Sequence, residues 1–270
     1  MPPSDVLGAP LEELHFLARS PNRVLVLDAL TSGPTGRYEL EDETGVARAT
    51  LGRILDDFVE RGWVAETDRQ FETTQLGAYV SREFQAVLKR FEHVPALEAV
   101  ADWFPDDGFP FDLGHLAEAE IVRATKSNAL APTTHITRRI RDAERVRLVT
   151  YSVLPGVVEA CWRGTVDGIL ELESVLDADA VDGLGADPQL IERALEMAES
   201  GQSEVYVHSG DVSSTVFIVD DVVLLCLSGG EGAPRAVIET GDDTVRSWAE
   251  ATIDDHCEEG ERIDLSEFTV

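Results

Sequence analysis

The sequence predicts two domains of mixed α and β structure: a small helical domain with a β-hairpin, then a larger α/β domain with a mixed sheet. Helix and hairpin patterns follow one another within residues 1–92, and strand and helix patterns alternate from about residue 112. A break rich in Asp, Gly and Pro, residues 106–110, comes before this change of pattern. We therefore expect a first domain over residues 1–92, a helical linker over 93–111 and a second domain over 112–270.

Short helices separated by turn signals begin the first domain. Leu11–Ala18 is predicted to be helical, and Ser20 followed by Pro21 opens a second helix, since serine caps a helix and proline suits its first turn. Tyr38–Thr44 is a third helix, and Gly45 ends it because glycine readily adopts the left-handed conformation.

The next predicted helix, from Arg48 to Arg61, carries a single apolar stripe. The stripe has the spacing of one helix face and consists of Leu51, Ile54, Leu55, Phe58 and Val59. Because the stripe must face the core, the arginines at the beginning of the helix are expected to face outward.

A β-hairpin and a longer helix complete the predicted domain. Trp63–Glu66 and Phe71–Thr73 form the strands, with Thr67–Gln70 as a polar tip. Thr74 is expected to cap the helix Gln75–Phe91. That helix has more apolar positions than one packing partner requires, so we expect it to form a dimer contact.

This order of elements predicts a winged helix-turn-helix whose second helix lies in the DNA major groove. Arginine there donates to guanine or to phosphate, and a glycine in the helix allows close approach. The predicted DNA contacts are Arg48, Ala49, Thr50, Gly52, Arg53, Thr67, Arg69 and Gln70. Asp56, Asp57 and Glu60 would repel phosphate, which favours an alternative: a winged-helix protein-interaction module without DNA binding.

The chain is strongly acidic, and the acidity is uneven. Its 52 acidic and 22 basic residues give a formal charge of −30, and only Lys89 and Lys126 are lysines. This balance is typical of a halophilic protein kept in solution by hydrated carboxylates. Residues 1–93 hold 16 acids and 10 bases, whereas residues 94–270 hold 36 and 12, so phosphate repels the first domain less.

Strand and helix patterns alternate in the second domain, which predicts a mixed α/β sheet. The predicted strands are Arg147–Val153, Ile169–Leu176, Glu204–His208, Thr215–Val219, Val222–Ser228 and Ala236–Glu239. The predicted helices are Val157–Gly168, Pro188–Glu199 and Thr244–Cys257.

The sequence lacks the signals typical of membrane proteins, secreted proteins and cysteine-based metal sites. No apolar run is long enough to cross a membrane, and the N-terminus lacks the basic and apolar regions of a signal peptide, so we expect a cytoplasmic protein. Cys161, Cys226 and Cys257 form no CxxC pair, and no histidine lies at ligand spacing from them. We expect no metal site and no cofactor.

Both domains contain recognisable sequence motifs. In residues 10–90 the motif residues are Thr44-Gly45-Val46, Thr50, Arg53-Ile54-Leu55, Arg61-Gly62-Trp63-Val64, Thr74 and Gly77. With these residues the segment resembles the winged helix-turn-helix of archaeal transcriptional regulators. In residues from about 111 to 260 the motif segments are Ala119–Val122, Val149–Pro155, Phe217–Asp221 and Val223–Cys226. With these segments the second domain resembles the effector domain of haloarchaeal regulators related to the methanogen filament-regulator family and, more distantly, of TrmB regulators.

That resemblance implies a phospholipase-D-like fold for the second domain without its catalytic motif. Enzymes with that fold need a His-x-Lys pair, but Val87 and Ala124 stand two residues before the two lysines. Nucleotide-binding loops, GxSxG and HExxH are also missing from the sequence. A triad of Ser152, His208 and Asp211 lacks a nucleophile elbow. We therefore expect no enzyme, with a small-molecule-processing activity in this domain kept as an alternative.

Polar residues that follow the predicted strands of the second domain suggest a ligand pocket, because small molecules bind beyond the carboxyl ends of sheet strands. The candidate ligand-binding residues are Tyr151, Ser152, His208, Ser209, Asp211, Ser228, Thr134 and Arg138. The basic cluster from Arg138 to Arg147 is expected to form ion pairs with nearby carboxylates.

Together these features predict a homodimeric, ligand-responsive regulator of transcription. Its expected partners are double-stranded DNA, an unidentified small-molecule effector and a second copy of the chain. No membrane partner is expected. Dimerisation is expected because one short helix contacts too few base pairs for specificity.

Overall fold

The computed structural model describes residues 4–229 and 232–263, and the chain divides into two compact units. Unit 1 is Met1–Glu92 and unit 2 is His93–Val270. None of the helices in the described part of the chain has the length and hydropathy needed to span a bilayer.

Unit 1 has the element order predicted for a winged helix-turn-helix. Its helices are α1 (Ser4–Ala18), α2 (Pro21–Ala29), α3 (Arg37–Thr44), α4 (Arg48–Glu60) and α5 (Gln75–Glu92). Its strands are β1 (Thr35–Gly36), β2 (Val64–Thr67) and β3 (Gln70–Thr73). The strands form an antiparallel sheet in the order β1-β3-β2. The predicted order of helices and strands in this domain is therefore confirmed.

The apolar stripe of α4 faces the core of unit 1, with one exception. Leu51, Ile54, Leu55 and Phe58 are buried, whereas Val59 is 43% exposed. Each residue advances about 100° around a helix, so Val59 lies roughly 90° from the centre of the other four. Including Val59 in the stripe was wrong for this reason.

Two helices of unit 1 end, and a third begins, at the residues that the sequence predicts. Gly45 follows α3 with φ 66°, and Gly62 follows α4 with φ 70°. Thr74 caps α5, because its Oγ1 accepts a hydrogen bond from the N–H of Gly77 at 3.1 Å. The same hydroxyl donates to the Gly62 carbonyl oxygen at 2.7 Å, which holds the beginning of α5 against the turn between α4 and the hairpin.

Unit 2 contains the predicted mixed sheet. Its strands are β4 (Glu120–Arg123), β5 (Arg145–Thr150), β6 (Glu171–Leu176), β7 (Ser203–Val207), β8 (Thr215–Val219), β9 (Val222–Leu227), β10 (Ala236–Thr240) and β11 (Glu261–Arg262). They are ordered β11-β7-β6-β5-β8-β9-β10-β4. β5, β6 and β7 are parallel, and the other pairs are antiparallel.

Helices cover this sheet on both faces. They are α6 (Val94–Glu98), α7 (Ala131–Arg141), α8 (Pro155–Val166), α9 (Ala178–Gly185), α10 (Pro188–Ser200) and α11 (Asp243–Glu259). Successive strand residues point to opposite faces. Val146 and Leu148 therefore join a core with α7, α8 and α10, whereas Val149 joins a second core with α11.

Residues 93–111 do more than link the two predicted domains. Only α6 and a short 3₁₀ turn, Ala101–Trp103, are helical. Val100 is fully buried, and Trp103, Phe104, Phe109 and Phe111 pack against the α11 side of the sheet. This segment therefore forms part of the covering of unit 2.

Two glycines in the helices of unit 1 provide a matched test of packing. A Cβ at Gly77 would lie 1.9 Å from the carbonyl oxygen of Trp63, whereas a Cβ at Gly52 would meet no atom within 4 Å. We expect Gly77→Ala to lower the free energy of unfolding by about 1–3 kcal/mol. Gly52→Ala, the control, should raise it by about 0.5–1 kcal/mol, because alanine loses less conformational entropy in a helix. Urea denaturation measures both, and equal effects would contradict this packing.

Candidate functional site

The beginning of α4 presents a basic surface, called here the arginine face and defined by Arg19, Arg48 and Arg53. Arg48, Ala49 and Arg53 are exposed. Thr50 and Gly52 are half-buried at its border. All five residues predicted on this helix are thus at least partly accessible to solvent.

Arg48 is held by a neighbouring tyrosine that sequence reasoning missed. Its guanidinium carbon lies 5.0 Å from the centre of the Tyr38 ring, and its Nη1 donates to the Tyr38 hydroxyl at 3.4 Å. Tyr38 is itself 69% exposed. A stacked guanidinium keeps its remaining N–H donors available to a ligand and loses less entropy on binding.

Arg53 borders an open groove of about 520 Å³ between α4 and the end of α1. The groove is also lined by Arg19, Ser20 and Thr50. Arg23 in the same groove is engaged, because its Nη2 lies 3.1 Å from Asp57 Oδ2. Among the described residues, neither Arg19 nor Arg53 has a side-chain hydrogen bond or ion pair, so both guanidinium groups are available there.

The N-terminus of α4 is open as well. Its N-cap residue, Ala47, offers no side-chain acceptor, and the first turn of the helix contains no acidic residue. The first N–H groups of a helix carry partial positive charge and bind anions. The arginine face therefore surrounds a helix end suited to phosphate.

The hairpin tip has an unusual backbone. Asp68 and Arg69 have φ values of 51° and 67° and connect β2 to β3, as in a two-residue type I′ turn. Residues other than glycine are uncommon in this conformation. Thr67, Arg69 and Gln70, the predicted wing contacts, are all exposed at this tip.

The second half of α4 is less acidic in effect than its sequence suggests. Asp57 is neutralised by Arg23. Asp56 and Glu60 remain exposed. The repulsive charge that favours the protein-interaction alternative therefore comes mainly from two carboxylates.

The predicted ligand residues of unit 2 do not form one pocket, because the sheet separates them. Tyr151 packs against the α11 side. Ser152, the next residue, lines a small apolar cavity of about 80 Å³ on the α8 side. Thr134 and Arg138 lie on α7, which packs on the α8 side too, and both are exposed. The expectation that these two residues share a cleft with Tyr151 was wrong.

His208 is buried and fully engaged, while Ser209 and Asp211 are exposed. His208 Nδ1 lies 3.1 Å from the Gly210 carbonyl oxygen, and Nε2 lies 3.2 Å from Glu259 Oε2. Since both ring nitrogens have partners, His208 is not poised as a base for Ser152.

A larger cavity, of about 570 Å³, opens on the α11 side of unit 2. Tyr151 and Ser228 are the two predicted ligand residues that line it, and the Tyr151 hydroxyl hydrogen-bonds to Ser228 Oγ. Sequence reasoning missed its other main residues, which are Trp103, Phe104, Phe109, Trp248, Thr252 and His256. The available signal was the aromatic density of residues 103–111, interpreted only as a domain break.

Glu239 is the centre of a buried polar cluster that brings together distant parts of the chain. His135 Nε2 lies 2.6 Å from Glu239 Oε2, and Arg139 donates to both carboxylate oxygens. Arg138 Nη2 lies 3.1 Å from His135 Nδ1. Because arginine only donates, His135 must accept at Nδ1 and donate from Nε2 to Glu239.

This cluster has donors for a metal but is arranged as an ion-pair network. The ligand atoms of Glu120, His135 and Glu239 lie within 4.8 Å of one another. Arg139, however, occupies both oxygens of Glu239, and a cation would have to displace it. Burial raises the pKa of Glu239, but the hydrogen bonds from Arg139 and His135 outweigh burial and lower it.

Arg147, another arginine of the basic cluster, is also paired with carboxylates. Arg147 Nη2 lies 2.6 Å from Glu173 Oε1 and 2.5 Å from Asp254 Oδ1. For Arg139 and Arg147 this agrees with the expected ion-pair role, whereas the described residues contain no ion pair of Arg138, Arg141 or Arg145. The cysteines are free thiols, and burial raises the pKa of Cys161 and Cys257 to about 12, which keeps both protonated near neutral pH.

Two protein-family models match the chain. Residues 11–95 match the HVO_A0261 N-terminal domain, and residues 129–259 match the middle domain of the methanogenesis regulatory protein FilR1. The first match lies almost entirely in unit 1 and the second lies in unit 2. This confirms the resemblance inferred from the motifs.

Solved structures similar to this chain include an archaeal chromatin protein and a phospholipase D family member. TrmBL2, an archaeal chromatin protein with a novel mode of DNA binding, is 14% identical, with 93% of this chain and 99% of that chain covered and a TM-score of 0.40. Nuc of Salmonella typhimurium, a phospholipase D family member, is 17% identical, with 54% and 97% covered and a TM-score of 0.42. NucT of Helicobacter pylori is 14% identical, with 54% and 98% covered and a TM-score of 0.40. No curated protein matches the sequence.

The lowered pKa of Glu239 predicts a pH-dependent contribution to stability. The pKa of a glutamate in the unfolded chain is about 4.3. The stabilising contribution is therefore complete above that pH and is lost as the pH falls through the lower pKa of the folded state. We expect Glu239→Gln to reduce the free energy of unfolding by about 2 kcal/mol at neutral pH. The difference from the parent should shrink in acid. Urea denaturation across pH measures it, with the exposed Glu171→Gln as control, and a pH-independent difference would contradict the assignment.

Proposed function

We propose that the chain is a sequence-specific DNA-binding regulator of transcription that acts as a homodimer in the cytoplasm and responds to a small molecule. The observation that carries the proposal is the arginine face. Arg53 is unpaired among the described residues, and Arg48 is stacked on Tyr38 beside the open N-terminus of α4. Such a surface suits phosphate and guanine, which both accept hydrogen bonds from guanidinium groups.

The wing and the groove extend the proposed contact. Arg69 at the hairpin tip and Arg19 at the end of α1 would bind the DNA backbone on either side of α4. Thr50, Thr67 and Gln70 add hydrogen-bond donors for phosphate, and Gly52 leaves the helix free of a side chain where it approaches the bases. The strained backbone at Arg69 supports a role for that residue, since such conformations cluster at functional sites.

The net negative charge of the chain repels the phosphates of the proposed DNA partner. In the molar salt of a halophile, counterion release adds little to affinity, and screening reduces repulsion from the acidic surface. Contacts made directly to bases, or through water, must then supply most of the specificity. A few well-placed arginines fit this requirement better than many mobile lysines.

Dimerisation is proposed through α5. The large apolar side chains exposed on this helix are Leu76, Tyr79, Val87, Leu88 and Phe91. A second copy packed on the same helix would bury them and pair two arginine faces for two half-sites.

A protein-interaction module is the second candidate, favoured by the exposed Asp56 and Glu60 on α4. Such a module would keep its partner when the two arginines at the other end of the helix are replaced. Replacing Arg48 and Arg53 by alanine therefore distinguishes the two functions.

The first prediction concerns DNA. We expect Arg48→Ala/Arg53→Ala to weaken binding to the specific site roughly a hundredfold, since each bidentate base contact contributes about 1–3 kcal/mol. The site would be selected from genomic DNA in molar KCl, and affinity measured by fluorescence anisotropy.

The control for that variant is Arg163→Ala/Arg262→Ala, which removes the same charge from side chains 64% and 61% exposed in unit 2. If both variants weakened DNA binding equally, the loss of affinity would come from the change in net charge alone. Unchanged affinity of the first variant would exclude the arginine face as the specific contact.

The second prediction concerns assembly. Leu88→Glu/Phe91→Glu places two charges in the proposed α5 contact and should raise the dimer dissociation constant at least about tenfold, as for central interface residues. Sedimentation equilibrium measures the change. Val166→Glu/Ile169→Glu, which adds the same two charges at exposed apolar side chains of unit 2, is the control, and dimers that persist in the first variant would argue against this helix.

A further inference from the structure

The aromatic cavity is defined here as the 570 Å³ space lined by residues 102–110 together with parts of the sheet and α11. It lies entirely within unit 2, and its volume falls in the range of small-molecule sites. Five aromatic side chains line it: Trp103, Phe104, Phe109, Tyr151 and Trp248. The site residues predicted from sequence include only Tyr151 and Ser228 from its lining.

These aromatic rings are supported from behind and only partly buried. Phe104 and Phe109 pack edge to face with ring centres 5.2 Å apart. Phe111, behind the lining, contacts Phe109 at 5.2 Å and Trp248 at 5.3 Å. All five lining rings are half-buried, so each keeps accessible surface beside the cavity. Rings fixed in this way bind flat apolar groups with little loss of entropy.

The charges around the aromatic cavity have one sign. Asp102, Asp106 and Asp107 line it, and no Lys or Arg does among the described residues. Arg235 is nearby but lies outside the lining, with its guanidinium carbon 5.9 Å from the centre of the Trp103 ring. This environment repels anions and favours a cation, which aromatic faces also attract.

The wall of the cavity offers a specific hydrogen-bond acceptor. His256 Nδ1 donates to the Thr252 carbonyl oxygen at 2.6 Å, so in the neutral ring Nε2 is the unprotonated nitrogen. In the described part of the chain, Nε2 has no hydrogen-bond partner. It can therefore accept a hydrogen bond from an N–H of a bound ligand, while the Tyr151–Ser228 pair provides a second polar point.

We propose that the aromatic cavity binds a small organic cation, a primary amine attached to a flat apolar ring. The ring packs among Trp103, Phe109 and Trp248, and the ammonium group lies near His256 Nε2 and the three carboxylates. This site deepens the proposed function, on which its regulatory meaning rests. Residues 102–110 begin ten positions after the end of unit 1 at Glu92. A ligand bound to them therefore contacts a part of unit 2 that follows unit 1 closely in the sequence.

The test compares three probes that share a ring but differ in charge: 2-phenylethylamine, 2-phenylethanol and phenylacetate. Each is titrated into the full-length protein by calorimetry, at the lowest KCl concentration that preserves its circular dichroism spectrum. We expect the amine to bind at least about tenfold more tightly than phenylacetate, with the alcohol between them. Equal binding of all three, or no binding of the amine, would overturn the proposal.

Two variants locate the binding site. Trp248→Leu should weaken amine binding roughly three- to tenfold, through loss of the aromatic face. Trp162→Leu, on α8 at the other side of the sheet, is the control. If Trp248→Leu fails to fold, the surface variant Asp102→Asn/Asp106→Asn/Asp107→Asn replaces it and should reduce the preference for amine over alcohol.

The matched control for the surface variant is Asp167→Asn/Asp179→Asn/Asp182→Asn, which removes three exposed carboxylates that do not line the cavity. Equal effects of the two triple variants would place the amine elsewhere and overturn the proposal. None of these measurements contains DNA. A protein that binds the amine but no DNA would disprove the proposed function alone, and one that binds DNA but not the amine would disprove this inference alone.

Discussion

The pleat of the sheet in unit 2 determines where its chemistry can take place. Alternate residues of β5 enter two separate cores, with Leu148 on the α8 side and Val149 on the α11 side. Beyond the end of that strand, Tyr151 and Ser152 still diverge, one toward a large aromatic cavity and the other toward a small apolar one. A shift of one residue in register would exchange the two sides. Every polar group near the strand ends is therefore committed to one face.

This constraint also explains what the sequence could predict. Periodicity was sufficient for α4, because Leu51, Leu55 and Phe58 repeat with a helical spacing and their burial follows. It failed at Val59, where the pattern alone does not define the edge of the stripe. The cleft expected for Tyr151 and Thr134 was wrong because a strand pattern does not indicate which face a following loop or a distant helix will occupy.

The parts that escaped prediction are contacts between residues far apart in the chain. His135 and Glu239 are separated by 104 positions, and Tyr38 reaches Arg48 from a different helix. No local pattern contains such pairs. The outward direction of Arg48 and Arg53 was predictable from the stripe alone, and the structure adds that one is stacked while the other has no described partner. The aromatic run of residues 103–111 was visible but had no assigned role until α11 was placed beside it.

The ends of the large sheet limit how the molecule can associate. An unprotected edge strand offers free N–H and C=O groups to another chain. Here one edge is β4, which begins with Glu120 and ends with Arg123, both exposed. The other edge is β11, only two residues long and made of Glu261 and Arg262. Short, charged edges disfavour sheet extension between copies, so the described strands give crowded molecules few groups for edge-to-edge aggregation.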